Sequence, residues 1–169
     1  MPNTNRLLRI LRHRWLDDSD VRRALPEAAL KRIEDRVAAS EKRHTGEIRV
    51  CVEAGLPWSY LWRRLAARDR AVALFGKLRV WDTAANNGVL IYVLMADRKV
   101  EIVADRGIAA RVPKAEWEAI CRGVEGAFRA GRYGAGVAEG VRAVGAVLAR
   151  HFPHKGGDRN EQRNAPTFL

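Results

Sequence analysis

Two hydrophobic periods alternate along this chain, and the switch between them marks its elements. Residues 89–95, Val89-Leu-Ile-Tyr-Val-Leu-Met95, are apolar at every position, as a strand buried on both faces requires. Asn86-Asn87-Gly88 stops the chain before it with residues that tolerate left-handed backbone angles. After the turn at Ala96-Asp97-Arg98, Val100, Ile102 and Ala104 alternate with Lys99, Glu101, Val103 and Asp105, the period of a half-exposed antiparallel partner. Glu47 to Ala54 alternates in the same way, with Ile48, Val50 and Val52 on one face and Arg49, Cys51 and Glu53 on the other.

Helical spacing fills the intervals. Pro26 opens a helix carried by Leu30, Ile33 and Val37 and ending near His44-Thr45-Gly46. Gly55-Leu56-Pro57 opens one long helix to about Phe75, with Trp58, Leu61, Trp62 and Leu65 as a core stripe. Pro113 opens another, with Trp117, Ile120, Cys121, Val124 and Phe128 on one side. Gly131-Arg132-Tyr133-Gly134 separates it from a last helix bearing Val137, Val141, Val144 and Leu148. Strand 47–54, a helix and strand 88–96 form a right-handed βαβ unit, so those strands are parallel. The expected fold is a three-layer α/β/α sandwich around a small mixed sheet, with one antiparallel hairpin strand.

Composition adds limits. The chain has 169 residues, 47% hydrophobic and 30% charged, a globular balance for one domain with tails. Residues 1–24 read as a basic amphipathic helical segment, 25–152 as the α/β domain, and 153–169 as a disordered polar tail. The longest apolar run, Gly88 to Ala96, is far short of the roughly 20 residues that span a bilayer, and no signal-peptide pattern opens the chain. The expectation is a cytoplasmic protein that is soluble or peripheral to a membrane. Cys51 and Cys121 lack metal or redox spacing and are expected as buried free thiols. The four histidines, His13, His44, His151 and His154, are expected at the surface.

The net charge of +11 brings in the N-terminus. Arg6, Arg9, Arg12 and Arg14 precede the first acid, Asp17, and enclose Leu7, Leu8, Ile10, Leu11 and Trp15. A basic amphipathic helix of this kind lies on anionic lipid, binds an acidic partner protein, or packs its apolar side on the domain with its arginines in water. Arg6, Arg9, Arg12, Arg14 and Trp15 are therefore the candidate partner-binding residues. The other basic residues are scattered among acids over several helices. That argues against a nucleic-acid interface, which concentrates charge on one face.

The order GEIRVCVEAGLP, a helix, DTAANNGVLIYVLMADRKVEIVADRGI and then AFRAGRYGAGVAEGVRAVG resembles the TPM domain. That family is named for a thylakoid lumen phosphatase-like protein, a photosystem II repair protein and a modulator of acetylcholine receptors. The resemblance covers roughly residues 25–152 and implies the same α/β/α sandwich. It also implies calcium binding and acid phosphatase activity as chemistries of the family, most of whose members have no defined reaction.

The strand order converges Asp82, Asn86, Asn87 and Asp105, with Glu47, on one end of the sheet. Calcium takes 6–8 oxygen ligands, backbone carbonyls and water included, so these are the candidate metal ligands and Ca2+ the candidate cofactor. Two departures weigh against a cation. Asn86 stands where the family commonly has aspartate, and Arg106 follows Asp105 where the family has a Gly-x-Gly. The first removes a negative charge and the second brings a positive one. The alternative reading of these residues is structural: Asp82 and the asparagines make turns, and Asp105 is a helix N-cap or pairs with Arg106. No serine, cysteine or histidine stands in a recognisable nucleophile context. The favoured function is a non-catalytic module that binds a partner or a membrane surface, and the alternative is a calcium-binding or metal-dependent acid phosphatase.

Overall fold

The computed structural model describes residues 4–154 and 162–169, with side chains from residue 7 onward. Twelve elements follow in chain order among these residues: α1 (Thr4–Trp15), α2 (Asp18–Ala24), α3 (Glu27–Glu41), β1 (Glu47–Glu53), α4 (Trp58–Trp62), α5 (Ala67–Lys77), β2 (Gly88–Leu94), β3 (Lys99–Ala104), α6 (Arg106–Ala109), α7 (Lys114–Arg129), α8 (Tyr133–His151) and β4 (Thr167–Phe168). The sheet runs β3-β2-β1-β4. β1 pairs parallel with β2 from Glu47↔Gly88 to Glu53↔Leu94, and β3 returns antiparallel from Lys99 opposite Leu94 to Ala104 opposite Val89.

Both faces of the sheet are covered. Ile48, Val50, Val52, Val89, Ile91 and Val93 meet α3, α7 and α8 through Ile33, Val37, Val124, Phe128, Val141 and Leu148. Cys51, Leu90, Tyr92 and Leu94 meet α4 and α5 through Leu61, Ala71 and Leu74, with Ile10 of α1 at the margin. This is the α/β/α sandwich expected from the patterning. Asp17 caps α2, accepting from the backbone N–H of Ser19 at 2.8 Å, and so turns the chain out of α1.

Four expectations are corrected. The helix after Pro57 is two helices, because residues 63–66 break it and Arg64 takes a left-handed φ of 58°. Two indoles of the expected core stripe face outward, Trp58 and Trp62 being 56% and 66% exposed. His13 and His44 are buried rather than superficial, and His44 Nε2 lies 2.8 Å from Ser40 Oγ. The tail is not disordered throughout, because Thr167–Phe168 adds to β1 as a parallel edge strand. Residues 155–161 of that tail lie outside the described residues. The cysteines are free, and burial pushes the Cys51 and Cys121 thiols up to about 12.

The start of β2 depends on a close approach. A Cβ on Gly88 would lie 2.0 Å from the carbonyl oxygen of Val80, a backbone atom with no rotamer to yield. Gly88→Ala is expected to destabilise the fold by about 1–3 kcal/mol, read as a fall in thermal midpoint of several degrees. An unchanged midpoint would show that the 80–88 turn relaxes freely.

Candidate functional site

The sheet has two ends with different chemistry. Where β1 and β2 begin, the backbone gathers three of the five candidate ligands. Glu47 N–H donates to the Asn87 carbonyl at 3.0 Å, and Asp105 N–H donates to the carbonyl of the adjacent Gly88 at 2.8 Å. Asn87 is buried, donates Nδ2–H to the carbonyl of Thr45, and donates its backbone N–H to Thr83 Oγ1 at 3.1 Å. Asp105 is the N-cap of α6 and accepts from Arg106 N–H at 2.7 Å through Oδ1. Glu47, also buried, accepts from Gln162 N–H at 3.1 Å through Oε2.

The other two candidates are engaged elsewhere. Asn86 sits at a left-handed φ of 51°, and its Oδ1 accepts from Arg106 Nε at 3.2 Å. The Arg106 guanidinium thus holds Asn86, and it is the Arg106 backbone N–H that meets the Asp105 carboxylate. Asp82 is exposed and pairs with Arg79 at 3.8 Å. Among the described residues, no three His, Cys, Asp or Glu side chains are grouped to share a metal. Two oxygens nonetheless stand out, because Asn87 Oδ1 and Asp105 Oδ2 are buried with no hydrogen-bond partner among the described residues. An acceptor in that position loses its hydration without replacement, and a cation or an ordered water is what would restore it.

Where β1 and β2 end, α1 is latched to the domain through Asp97 in the β2–β3 turn. Asp97 Oδ2 accepts from Arg9 Nε at 3.1 Å and Nη2 at 2.9 Å, while Oδ1 accepts from Arg12 Nη2 at 2.8 Å and His13 Nε2 at 3.0 Å. His13 Nδ1 accepts from Leu56 N–H at 2.9 Å, which places the ring proton on Nε2. Gly55 makes room for the contact, since a Cβ there would lie 2.5 Å from the His13 carbonyl oxygen. Burial opposes ionisation of Asp97, but the hydrogen bonds from His13 and Arg9, with the charge of Arg9, outweigh it and hold the carboxyl well below the usual aspartate range.

With Arg9, Ile10 and His13 facing the domain, the other side of α1 is left uncovered. At about 100° per residue, Leu7, Leu11, Trp15 and Leu8 fall within one arc of about 100°. All four are exposed, Trp15 at 75%. Arg12 and Arg14 border the stripe, and both are exposed. The Arg6 side chain lies outside the described residues. Spacing alone identified the stripe, but nothing in the sequence paired Arg9, Arg12 and His13 with a residue more than eighty positions away.

A further polar network was not foreseen. Glu53, buried at the end of β1, accepts from Arg70 Nη2 at 2.6 Å and Nε at 3.0 Å and from Tyr92 Oη at 2.6 Å. Arg70 also lies over the Tyr60 ring, 5.2 Å from its centroid. The network fastens α5 to the sheet, and burial, with the Glu53 carboxylate beside it, pushes the Tyr92 hydroxyl far up.

A mixed sheet between two helical layers, with polar loops at one end and a basic helix latched at the other, defines a small α/β module. The chain belongs to the TPM domain family, whose model matches residues 19–147. Among solved structures it is similar to the BA42 protein of the psychrophilic bacterium Bizionia argentinensis, with 31% identity and a TM-score of 0.76 over 86% of this chain and 95% of that one. It also shares its fold with the N-terminal domain of a P. gingivalis protein, at 24% identity and a TM-score of 0.64 over 79% of this chain and 83% of that one. No curated protein matches it.

Asp97→Asn is expected to lower stability by about 1–3 kcal/mol near neutral pH, the half-buried pair being partly screened. The contribution of a depressed carboxylate is complete above its unfolded pKa and is lost as pH falls through the folded value. Wild type should therefore lose this increment below about pH 4, and the variant's acid limb should be flatter. Parallel thermal midpoints from pH 7 to pH 2 would contradict the latch.

Proposed function

We propose that this protein is a non-catalytic TPM module that docks on an anionic membrane surface through α1. The observation that carries the reading is the exposed stripe of Leu7, Leu8, Leu11 and Trp15 on a helix without an acidic residue. The stripe is convex and bordered by arginines, the form of an interfacial helix that sinks its apolar side to the acyl boundary and leaves its cations at the headgroups. Tryptophan favours that depth. Each basic residue near an anionic surface adds about 1 kcal/mol, and the net charge of +11 favours the approach. Among the described residues no helix is long and apolar enough to cross a membrane, so the contact is peripheral.

The test is sedimentation with phosphatidylcholine vesicles, alone and with about 30% phosphatidylserine. Binding is expected only with phosphatidylserine and should weaken with salt. The double variant Leu11→Glu, Trp15→Glu should bind at least about tenfold more weakly with an unchanged thermal midpoint. Equal binding by that variant, or no binding by wild type, would overturn the reading.

A second reading, a divalent-cation site of the kind a metal-dependent phosphatase uses, is favoured by the unpartnered Asn87 Oδ1 and Asp105 Oδ2. Those two atoms would hold the ion, and Asn86 and Asp82 would contribute nothing. Calcium at about 100 times its dissociation constant would add roughly 2.7 kcal/mol, raising the midpoint by about 5–10 °C. The rise should exceed that with magnesium and vanish in Asp105→Asn, which keeps the N-cap. No shift in wild type would exclude this reading.

A further inference from the structure

The outer edge of β1 is built to receive an extended chain. Its edge-facing backbone groups belong to Ile48, Val50 and Val52. At one end Ile48 N–H is taken by Glu41 Oε1 at 3.2 Å, a side chain standing in for a strand. At the other, Thr167–Phe168 pairs in parallel with Cys51 and Val52, and Leu169 N–H donates to the Val52 carbonyl at 3.1 Å. Thr167 is fixed from the side, its Oγ1 accepting from Arg49 Nη2 at 2.9 Å.

The segment seated there fills the place incompletely. Only two of its residues pair with a strand of seven. Phe168 and Leu169 remain 42% and 40% exposed although they border a cavity of about 410 Å3 walled by Val21, Leu25, Leu30 and Val52. Leu169 also borders a second cavity, of about 540 Å3, between Arg14 of α1 and Ala54–Trp58 beyond the end of β1. The two cavities follow one another along the β1 edge, so a longer peptide in the same register would carry its next residues over the second.

From this we infer that the β1 edge, with the cleft between it and α2–α3, is a peptide-binding site. It takes an extended segment by parallel strand addition, and Thr167–Leu169 occupies it as a competitor in cis. The occupant has a hydroxyl residue to meet Arg49, an aromatic residue toward the cleft, and an aliphatic residue whose N–H reaches Val52. Main-chain bonds supply affinity and the alternate side chains supply selectivity, as in other strand additions. Val52 stands on the face of β1 that packs on α3 and α8, and Phe168, its partner in register, stands on that same face. The aromatic residue therefore enters the apolar side of the cleft, while the hydroxyl shares the Arg49 and Cys51 face.

The test uses a fluorescently labelled Ala-Pro-Thr-Phe-Leu peptide and two forms of the protein with the cis segment removed from the edge. One ends at Asn164; the other is full length and carries Phe168→Asp with Leu169→Asp, in case the shorter form folds poorly. Fluorescence anisotropy should show saturable binding to either form and at least about tenfold weaker binding to the wild-type chain. A peptide N-methylated at the leucine amide, which lacks the N–H for Val52, should lose binding, and so should one with alanine for phenylalanine. Absence of binding to both altered forms at an unchanged thermal midpoint would overturn the inference. So would equal binding of the N-methylated peptide. A wild-type dimer formed by exchanging the segment, with altered forms that take no peptide, would overturn it in favour of a second copy as occupant.

Discussion

Everything in this molecule depends on the parallel pairing of β1 with β2. Seven residue pairs from Glu47↔Gly88 to Glu53↔Leu94 are in register, and every residue of β2 is buried. A strand with no polar face has no solvent side, so helices must lie on both faces of the sheet. The period of two divides the work: Ile48, Val50 and Val52 meet α3, α7 and α8, and Cys51 meets α4 and α5. A slip of one residue would send Arg49 and Glu53 into the larger core. The register therefore also fixes the polar contacts at the two ends of the sheet, including the approach of Glu47 to Asn87 and of Glu53 to Arg70.

A sheet of this size has two edges, and they are managed by different means. On the β3 side the groups are taken by side chains: Val100 N–H donates to Glu125 Oε1 at 3.3 Å, and Arg68 Nη1 donates to the Ile102 carbonyl at 2.5 Å. Such caps satisfy the backbone and exclude another strand. On the β1 side one side chain, Glu41, is used in the same way, and a short strand covers the rest. Burial pushes the Glu41 carboxyl up to about 7, with Glu47 adding to the rise. An edge capped by side chains and an edge covered by a short strand thus flank the same pair of strands, and each has a cavity beside it.

The central pattern was legible because it is local. The apolar run 89–95, the turns around it and the alternation of 47–54 and 99–105 give the strands, their directions and the sandwich. The same logic placed Asp105, Asn87 and Glu47 at one end of the sheet. What local pattern could not show was where periodicity stops mattering. Trp58, Leu61, Trp62 and Leu65 have helical spacing, yet the helix ends at Trp62, and only Leu61 of the first three is buried. The tail had too little apolar content to read as structured, but Thr167 and Phe168 need only the Cys51 and Val52 edge. His13 carries no signal of burial, since its partners, Asp97 and the Leu56 N–H, arrive from two distant turns.

The latch at Asp97 also explains why an apolar stripe persists on the surface. A helix as basic as α1 has two ways to satisfy its charges, in water or on a carboxylate, and two faces to place. Asp97 gathers Arg9, Arg12 and His13, and Ile10 packs beside them, so the face that meets the domain is the mixed one. Leu7, Leu8, Leu11 and Trp15 are turned outward as a geometric consequence, being about a half turn of helix away. Packing them against the domain instead would place Arg9 and His13 in water and leave Asp97, a half-buried carboxylate, without its donors, which is the costly way to break such a cluster. The exposed stripe is thus held in place by the ionic contacts behind it, and any surface that covers it can do so without disturbing the attachment of α1 to the fold.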